Sequence, residues 1–289
     1  MFAVFKRELR AYFTAPIGWV VIGLFLFLCG IFFAATNLLG ASSEYNGLLS
    51  TMAFLFLFVV PILTMRLLTE ETRQHTDQLL ITSPLSVTAI VVGKYLAAVA
   101  VYLITLLVTV LYPVLMSFFA LLGLEWWKIL GGYIGLFLLG ASFIAVGLFF
   151  SSLTESQIVA AVATYAALLV MWIIDALTSM VPTGWLYGLA FVAIVAVALA
   201  LVVWLATRSV AATAATVVVL AAAIAAVAVL KKDLYDGLLA KVMAWFSLLK
   251  RYEDFNLGIL GLSPVVYYLS FSAAFVFLTV RMIDRKRWM

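Results

Sequence analysis

Eight stretches of this 289-residue chain are apolar over roughly the twenty residues that a helix needs to cross a hydrocarbon layer about 30 Å thick. They are Ile17–Thr36, Met52–Leu68, Val87–Leu122, Gly131–Leu153, Ile158–Leu177, Trp185–Thr207, Val210–Leu230 and Pro264–Ile283, each bounded by charge or turn residues. In hydrocarbon every backbone N–H and C=O must find its partner within the protein, so runs of this length fold as helices. A water-soluble core is no alternative. The chain is 67% hydrophobic and 10% charged, too little charge to cover the surface that a domain of this size leaves in water. The expected fold is all-α: a polytopic transmembrane helical bundle of about eight spans, forming a single transmembrane domain over residues 1–289.

Local signals refine the outline. Val87–Leu122 exceeds the length of one span and contains Pro113, which lacks a backbone donor and should kink or break the helix there. The first span follows basic residues and has full spanning length with no small-residue cleavage pattern, so it is read as retained rather than as a signal peptide. With the N-terminus inside, the inner segments hold eleven of the 17 Lys and Arg, among them Lys6, Arg7, Arg10, Arg66, Arg73, Lys94 and Arg208. That excess favours both termini in the cytoplasm. The division at Thr207-Arg208-Ser209 decides whether 185–230 makes two spans.

Two segments are amphipathic rather than spanning. In Met1–Phe13, a step of about 100° per residue gathers Phe2, Phe5, Leu9, Tyr12 and Phe13 on one arc, with Lys6, Arg7, Glu8 and Arg10 around the rest. This pattern predicts a helix within residues 1–15 lying in the inner membrane interface against lipid. In Asp233–Asp254 the same step collects Leu234, Leu238, Val242, Trp245, Phe246, Leu249 and Tyr252. It predicts one helix on the extracytoplasmic surface, with Leu238, Trp245 and Leu249 on its apolar face. It would end an extra segment, 179–252, that also holds two of the spans.

Catalytic chemistry finds no footing. The sequence contains no GxSxG, no HExxH and no GxxxxGK[ST] phosphate-binding loop. With one cysteine, Cys29, and one histidine, His75, it offers no Cys/His cluster for a metal and no cofactor motif. The net charge of +4 is spread among short polar segments and reads as membrane orientation, with no nucleic-acid surface. Glu155 and Asp175 fall at opposite ends of one candidate span and Glu125 outside another, where each is expected to be an interfacial cap or anchor in preference to a substrate site. Thr105, Thr109, Tyr112, Ser117, Ser142 and Thr164 lie within spans, where they serve either helix–helix hydrogen bonds or a substrate path.

The informative polar stretch is residues 65–84, MRLLTEETRQHTDQLLITSP, which is too charged to be a span. As a helix it has Glu70 and Glu71 early, where negative charge suits the N-terminal end of the dipole, and Glu70 beside Arg73 at i, i+3. Leu79, Leu80 and Ile81 follow, Ser83-Pro84 stops it, and a new helix starts at or near Ser86. An apolar triplet beside a charged face suits a helix that docks on a cytoplasmic partner.

With these residues the chain resembles the permease subunits of the ABC-2 type of ATP-binding-cassette exporter, and in particular the gliding-motility and nitrous-oxide-reductase-maturation branch. The segment EETRQHTDQLLITSPL carries the resemblance, together with FKRELRAYFTAPIGWVVIGLFLFLCGIFF at 5–33, FFSSLTESQIVAAVATY at 149–165 and VVYYLSFSAAFVFLTVR at 265–281. It spans roughly 1–178 and 253–285 and departs from the usual segment at His75 and Asp77-Gln78. The resemblance implies six family-like spans plus two extra ones, in a multi-pass protein of a prokaryotic cytoplasmic membrane. It also implies an exporter powered by a separate ABC ATPase, two copies of which bind the ATP and magnesium, and a second permease chain, the same or related. Residues 66–86 would be the coupling segment, with Glu70, Glu71, Arg73 and Asp77 as polar contacts, Leu79 and Leu80 packing, and Pro84 closing it. Phe5, Arg7, Leu9 and Arg10 would belong to an elbow helix. The large extra segment also fits a different role, a non-transporting scaffold that passes ATPase-driven motion to an extracytoplasmic protein.

Overall fold

Each long apolar run that the structure describes is helical, as a chain with no water to satisfy its backbone requires. The computed structural model describes residues 1–40, 42–73, 86–118, 123–182, 184–207, 209, 213–214, 216–222, 224 and 235–287. In chain order the helices are α1 (Phe2–Thr14), α2 (Pro16–Phe33, continued by a π-helical turn over Ala34–Leu39), α3 (Asn46–Thr64) and the short α4 (Thr69–Arg73). Next come α5 (Val87–Thr109), α6 (Leu111–Ser117), α7 (Trp126–Leu153), α8 (Gln157–Met180) and α9 (Trp185–Thr207). The last three are α10 (Leu238–Phe246), α11 (Leu249–Asn256) and α12 (Leu262–Arg287).

Six apolar segments are long enough to cross a membrane: Gly18–Leu39, Asn46–Arg73, Val87–Ser117, Trp126–Leu153, Gln157–Ile174 and Leu262–Arg285. They match the first five expected spans and the last, so six full-length spans stand among the described residues against about eight expected. The helix α9 occupies the sixth expected run, though its apolar stretch Trp185–Leu201 is shorter. Val210–Leu230 lies mostly outside the described residues.

The chain packs as two units, Met1–Val170 with Leu248–Met289, and Met171–Ser247. Composition could not mark the boundary, because it falls inside α8, an uninterrupted apolar helix. In the smaller unit the Tyr235 hydroxyl donates to Ile224 O at 3.0 Å, and Gly237 opens α10 with φ of 65°, a left-handed backbone that disfavours any side chain.

In the larger unit α7 is the central helix. Its glycines admit neighbours at a distance that no side chain would allow: a Cβ on Gly135 would run into Phe255 of α11, on Gly140 into the Tyr102 ring of α5, and on Gly147 into Thr64 of α3. An aromatic column fills the space between these helices. Phe25 stacks on Phe56 at 5.3 Å, Phe56 meets Tyr102 edge-on at 5.0 Å, and Tyr102 stacks on Phe137 at 6.1 Å. Toward α12, Ser142 and Ser272 share a hydroxyl hydrogen bond at 3.1 Å.

Pro113 acts as expected, and α5 gives way to α6 at Val110. A proline at 113 cannot donate to the carbonyl of Thr109 one turn earlier. That carbonyl instead faces the hydroxyl of Tyr45 at 3.5 Å, which in turn bonds Tyr133 at 2.7 Å. The expected single helix over 233–254 is two: α10 stops at Phe246, Ser247 is extended, and α11 begins at Leu249. The break lets Leu248, Tyr252 and Phe255 be buried, with the Leu248 carbonyl accepting from Tyr268 at 2.6 Å. Leu238 and Trp245 therefore belong to α10, where Trp245 is 60% exposed, while Leu249 is on α11 and half-buried. Asp233 and Leu234 lie outside the described residues.

Candidate functional site

The site forms at the end of the larger unit where α1, the exit of α3, the entry of α5 and the exit of α7 converge. Ala15, extended at ψ of 140°, precedes Pro16, and that pair ends α1 and starts α2 in a new direction. The helix α1 docks on α5 through Val4, which would lie 3.1 Å from a Cβ on Gly93, and on α3 through Tyr12, whose hydroxyl donates to Leu63 O at 2.8 Å. Val4, Glu8 and Tyr12, spaced by four, make up the docked face. Of the arc expected against lipid, Phe2 is 75% exposed and stacks on Phe5, while Phe5, Leu9 and Phe13 are half-buried and Tyr12 is buried instead, because its hydroxyl reaches the Leu63 carbonyl. Arg7 and Arg10 are on the exposed side.

Beyond Thr64 the chain makes a four-residue turn and enters α4. The first amides of a helix have no acceptor within it. Here the acceptor comes from another helix: Ser151 Oγ, near the end of α7, takes Leu68 N at 3.0 Å and Thr69 N at 3.3 Å, and donates to Met65 O at 3.3 Å. At the other end of the connection Ser86 Oγ accepts from Ala89 N at 3.3 Å, which caps α5 where the sequence placed a helix start.

Between these fixed points is a closed ring of charges. Lys94, the eighth residue of α5, is 2% exposed. Its ammonium donates to Glu8 Oε1 at 3.1 Å and to Leu67 O at 2.8 Å and lies 2.9 Å from Glu71 Oε1. That uses all three of its N–H groups. Arg7 Nη2 closes the ring, 2.8 Å from Glu8 Oε1 and 2.9 Å from Glu71 Oε1. Two cations and two carboxylates sum to zero, so the ring can be sheltered from water without an unmatched charge. Burial works to lift the Glu8 carboxyl, but Lys94 and Arg7 outweigh it and hold its pKa below the ordinary carboxylate value.

Of the residues that the sequence singled out in the connection, Glu71 turns inward to the ring, and Glu70 pairs with Arg66 at 2.8 Å, a spacing of i, i+4 rather than the expected partnership with Arg73. Arg73 is exposed. Asp77, Leu79, Leu80 and Pro84 lie outside the described residues. The in-span hydroxyls mostly serve neighbouring carbonyls, as Thr105 does with Val101, Thr164 with Ala160 and Tyr112 with Leu26. Glu125 pairs with Lys128, and Glu155 is exposed between α7 and α8. Lys94 and Glu8 are the functional candidates that pattern reading missed. The signal was present: Lys94 is the one charge in the run Val87–Leu122, and a lone charge in an apolar run calls for a partner.

Residues 2–174 match the family described as ABC-2 family transporter protein, a range that contains every member of the charge ring and the whole of the connection. No curated protein matches the chain.

Proposed function

From its membership of the ABC-2 transporter family, established over residues 2–174, we propose that this multi-pass protein is the transmembrane permease subunit of an ATP-driven exporter and takes its power from a separate ABC ATPase. ATP and magnesium are then the partner's ligands. The single observation that carries this reading is the way the polar connection 65–86 is held. Ser151 caps its entry, Lys94 grips Glu71 and the Leu67 carbonyl, and Ser86 caps its exit. A segment that must receive force needs such rigid mounting, whereas a solvated linker does not. In this account residues 70–84 are the coupling helix and face the cytoplasm, as do both termini. Arg73 and the partly exposed Glu70 make polar contacts, Asp77 joins them, Leu79 and Leu80 pack into the ATPase groove, and Pro84 ends the helix. Two permease chains pair with two ATPases, and α1 with Phe5, Leu9 and its arginines is the elbow helix in the cytoplasmic interface. Closure of the ATPases moves the docked segment and rocks the spans as rigid bodies.

The test is co-purification with the ABC ATPase encoded alongside it, in wild type and in Arg73→Glu combined with Leu79→Ser and Leu80→Ser. Wild type should bring down the ATPase, and the triple variant should insert in the membrane but lose at least tenfold of it. Equal recovery of the ATPase by both forms refutes docking at this segment.

A further inference from the structure

We propose that Lys94 is a positioning residue for coupling, the point through which a displacement of the connection 65–86 reaches the interfacial helix α1. The inference rests on the ATPase docking proposed above and adds where the motion goes next. The ring joins three stretches far apart in sequence: Arg7 and Glu8 on α1, Glu71 on α4 and Lys94 on α5. Its members differ in what they can exchange. Arg7 has a half-exposed side chain and can trade either carboxylate for water, so its two contacts are weak restraints. Lys94 is sealed from solvent and has every donor committed, so pulling Glu71 away from it removes one of its two carboxylates and leaves a buried N–H without an acceptor. Glu8 is held to the same ammonium and is only slightly exposed, so α1 is bound by the same restraint.

Packing makes the link stiff. Val4 of α1 seats against Gly93, the residue next to Lys94, and Tyr12 holds the carbonyl of Leu63 just before the connection begins. When the connection moves, the least costly response is for α1, α4 and the first turns of α5 to move together. Phe2, stacked on the half-buried Phe5, is 75% exposed, so that motion displaces α1 within the membrane interface.

The experiment uses the whole permease with its ATPase in nanodiscs. Spin labels are placed at Lys6→Cys and Arg285→Cys in a Cys29→Ala background, and singly labelled chains supply the inter-chain distances. The wild-type ring should show a shifted distance distribution between the nucleotide-free state and the state trapped with ATP and vanadate. Lys94→Met should lose most of that shift with the ATPase still bound, and Lys94→Arg should restore it, an outcome that a merely structural lysine would not give. Arg7→Gln with Glu8→Gln, which preserves net charge and the Lys94–Glu71 pair, should also lose the shift, and it decides the matter if Lys94→Met does not assemble. No shift in the wild type, or the full shift in either ring variant, overturns the inference. Failure of the wild type to retain its ATPase is a different result, one that removes the docking reading and this inference with it.

Discussion

Replacing Ser151 by alanine removes one oxygen and tests how the connection is mounted. That oxygen accepts from Leu68 N at 3.0 Å and from Thr69 N at 3.3 Å, and both residues are buried. Met65 O loses a donor as well but keeps the hydroxyl of Thr69. A buried donor left without an acceptor costs about 1–3 kcal/mol, and the longer bond should contribute at the low end, so the pair is worth about 2–4 kcal/mol. Little cavity accompanies the change, because serine and alanine differ by a single atom. The cost falls on the state in which α4 is seated, so the open state of residues 67–72 gains population. At 1.4 kcal/mol per factor of ten this is roughly a 30- to 700-fold increase. Hydrogen exchange of the purified protein in nanodiscs reads it directly: amides 67–72 should exchange faster by that factor, while amides within α5 and the middle of α7 keep their wild-type rates. Exchange within threefold of wild type at 67–72 would refute the mounting. Equal acceleration throughout the larger unit would show that Ser151 serves general packing instead.

Other substitutions separate close approach from open space. Gly147→Val forces a branched side chain into Thr64 and should destabilise the bundle by about 3 kcal/mol or more, seen as a lower Tm in detergent, whereas Gly47→Ala, with nothing within 4 Å, should change Tm little. The depressed pKa of Glu8 predicts the pH response of α1. Its stabilisation is complete above the ordinary carboxylate value and is lost as pH falls through the lower folded value, so α1 amides should lose exchange protection on acidification, and Glu8→Gln should flatten that profile. On the proposed orientation, a membrane-impermeant maleimide applied to intact cells should label a cysteine at position 240 and spare one at 285, in a chain lacking Cys29. The reverse pattern would invert the topology.

The spans could be read from the chain because twenty apolar residues leave the backbone one option in hydrocarbon. The break at Pro113 and the start at Ser86 were legible for local reasons, a missing donor and a capping hydroxyl. Residues 1–13 gave a helix but not its docked face. The aromatic arc included Tyr12, yet that residue joins Val4 and Glu8 in a protein-facing stripe that depends on Leu63, Gly93 and Lys94, far along the chain. The charge ring was hidden for the same reason: Arg7 and Glu71 are 64 residues apart and Glu8 and Lys94 are 86 apart, and nothing periodic connects them. At 233–254 the apolar period runs unbroken through Ser247, a residue equally at home in a helix or an extended link. Only the burial of Tyr252 and Phe255 decides where the helix stops.

On the proposed function, a nucleotide-binding subunit takes hold at the connection between α3 and α5. A photo-reactive amino acid placed at position 80, in permease reconstituted with its ABC ATPase, measures this directly, with position 245 on α10 as the comparison. A crosslink to the ATPase should form from position 80 and not from position 245, and its yield at position 80 should fall when Arg73 is changed to Glu. A crosslink to the ATPase from 245 and not from 80, or equal yields from both, would contradict docking at the connection.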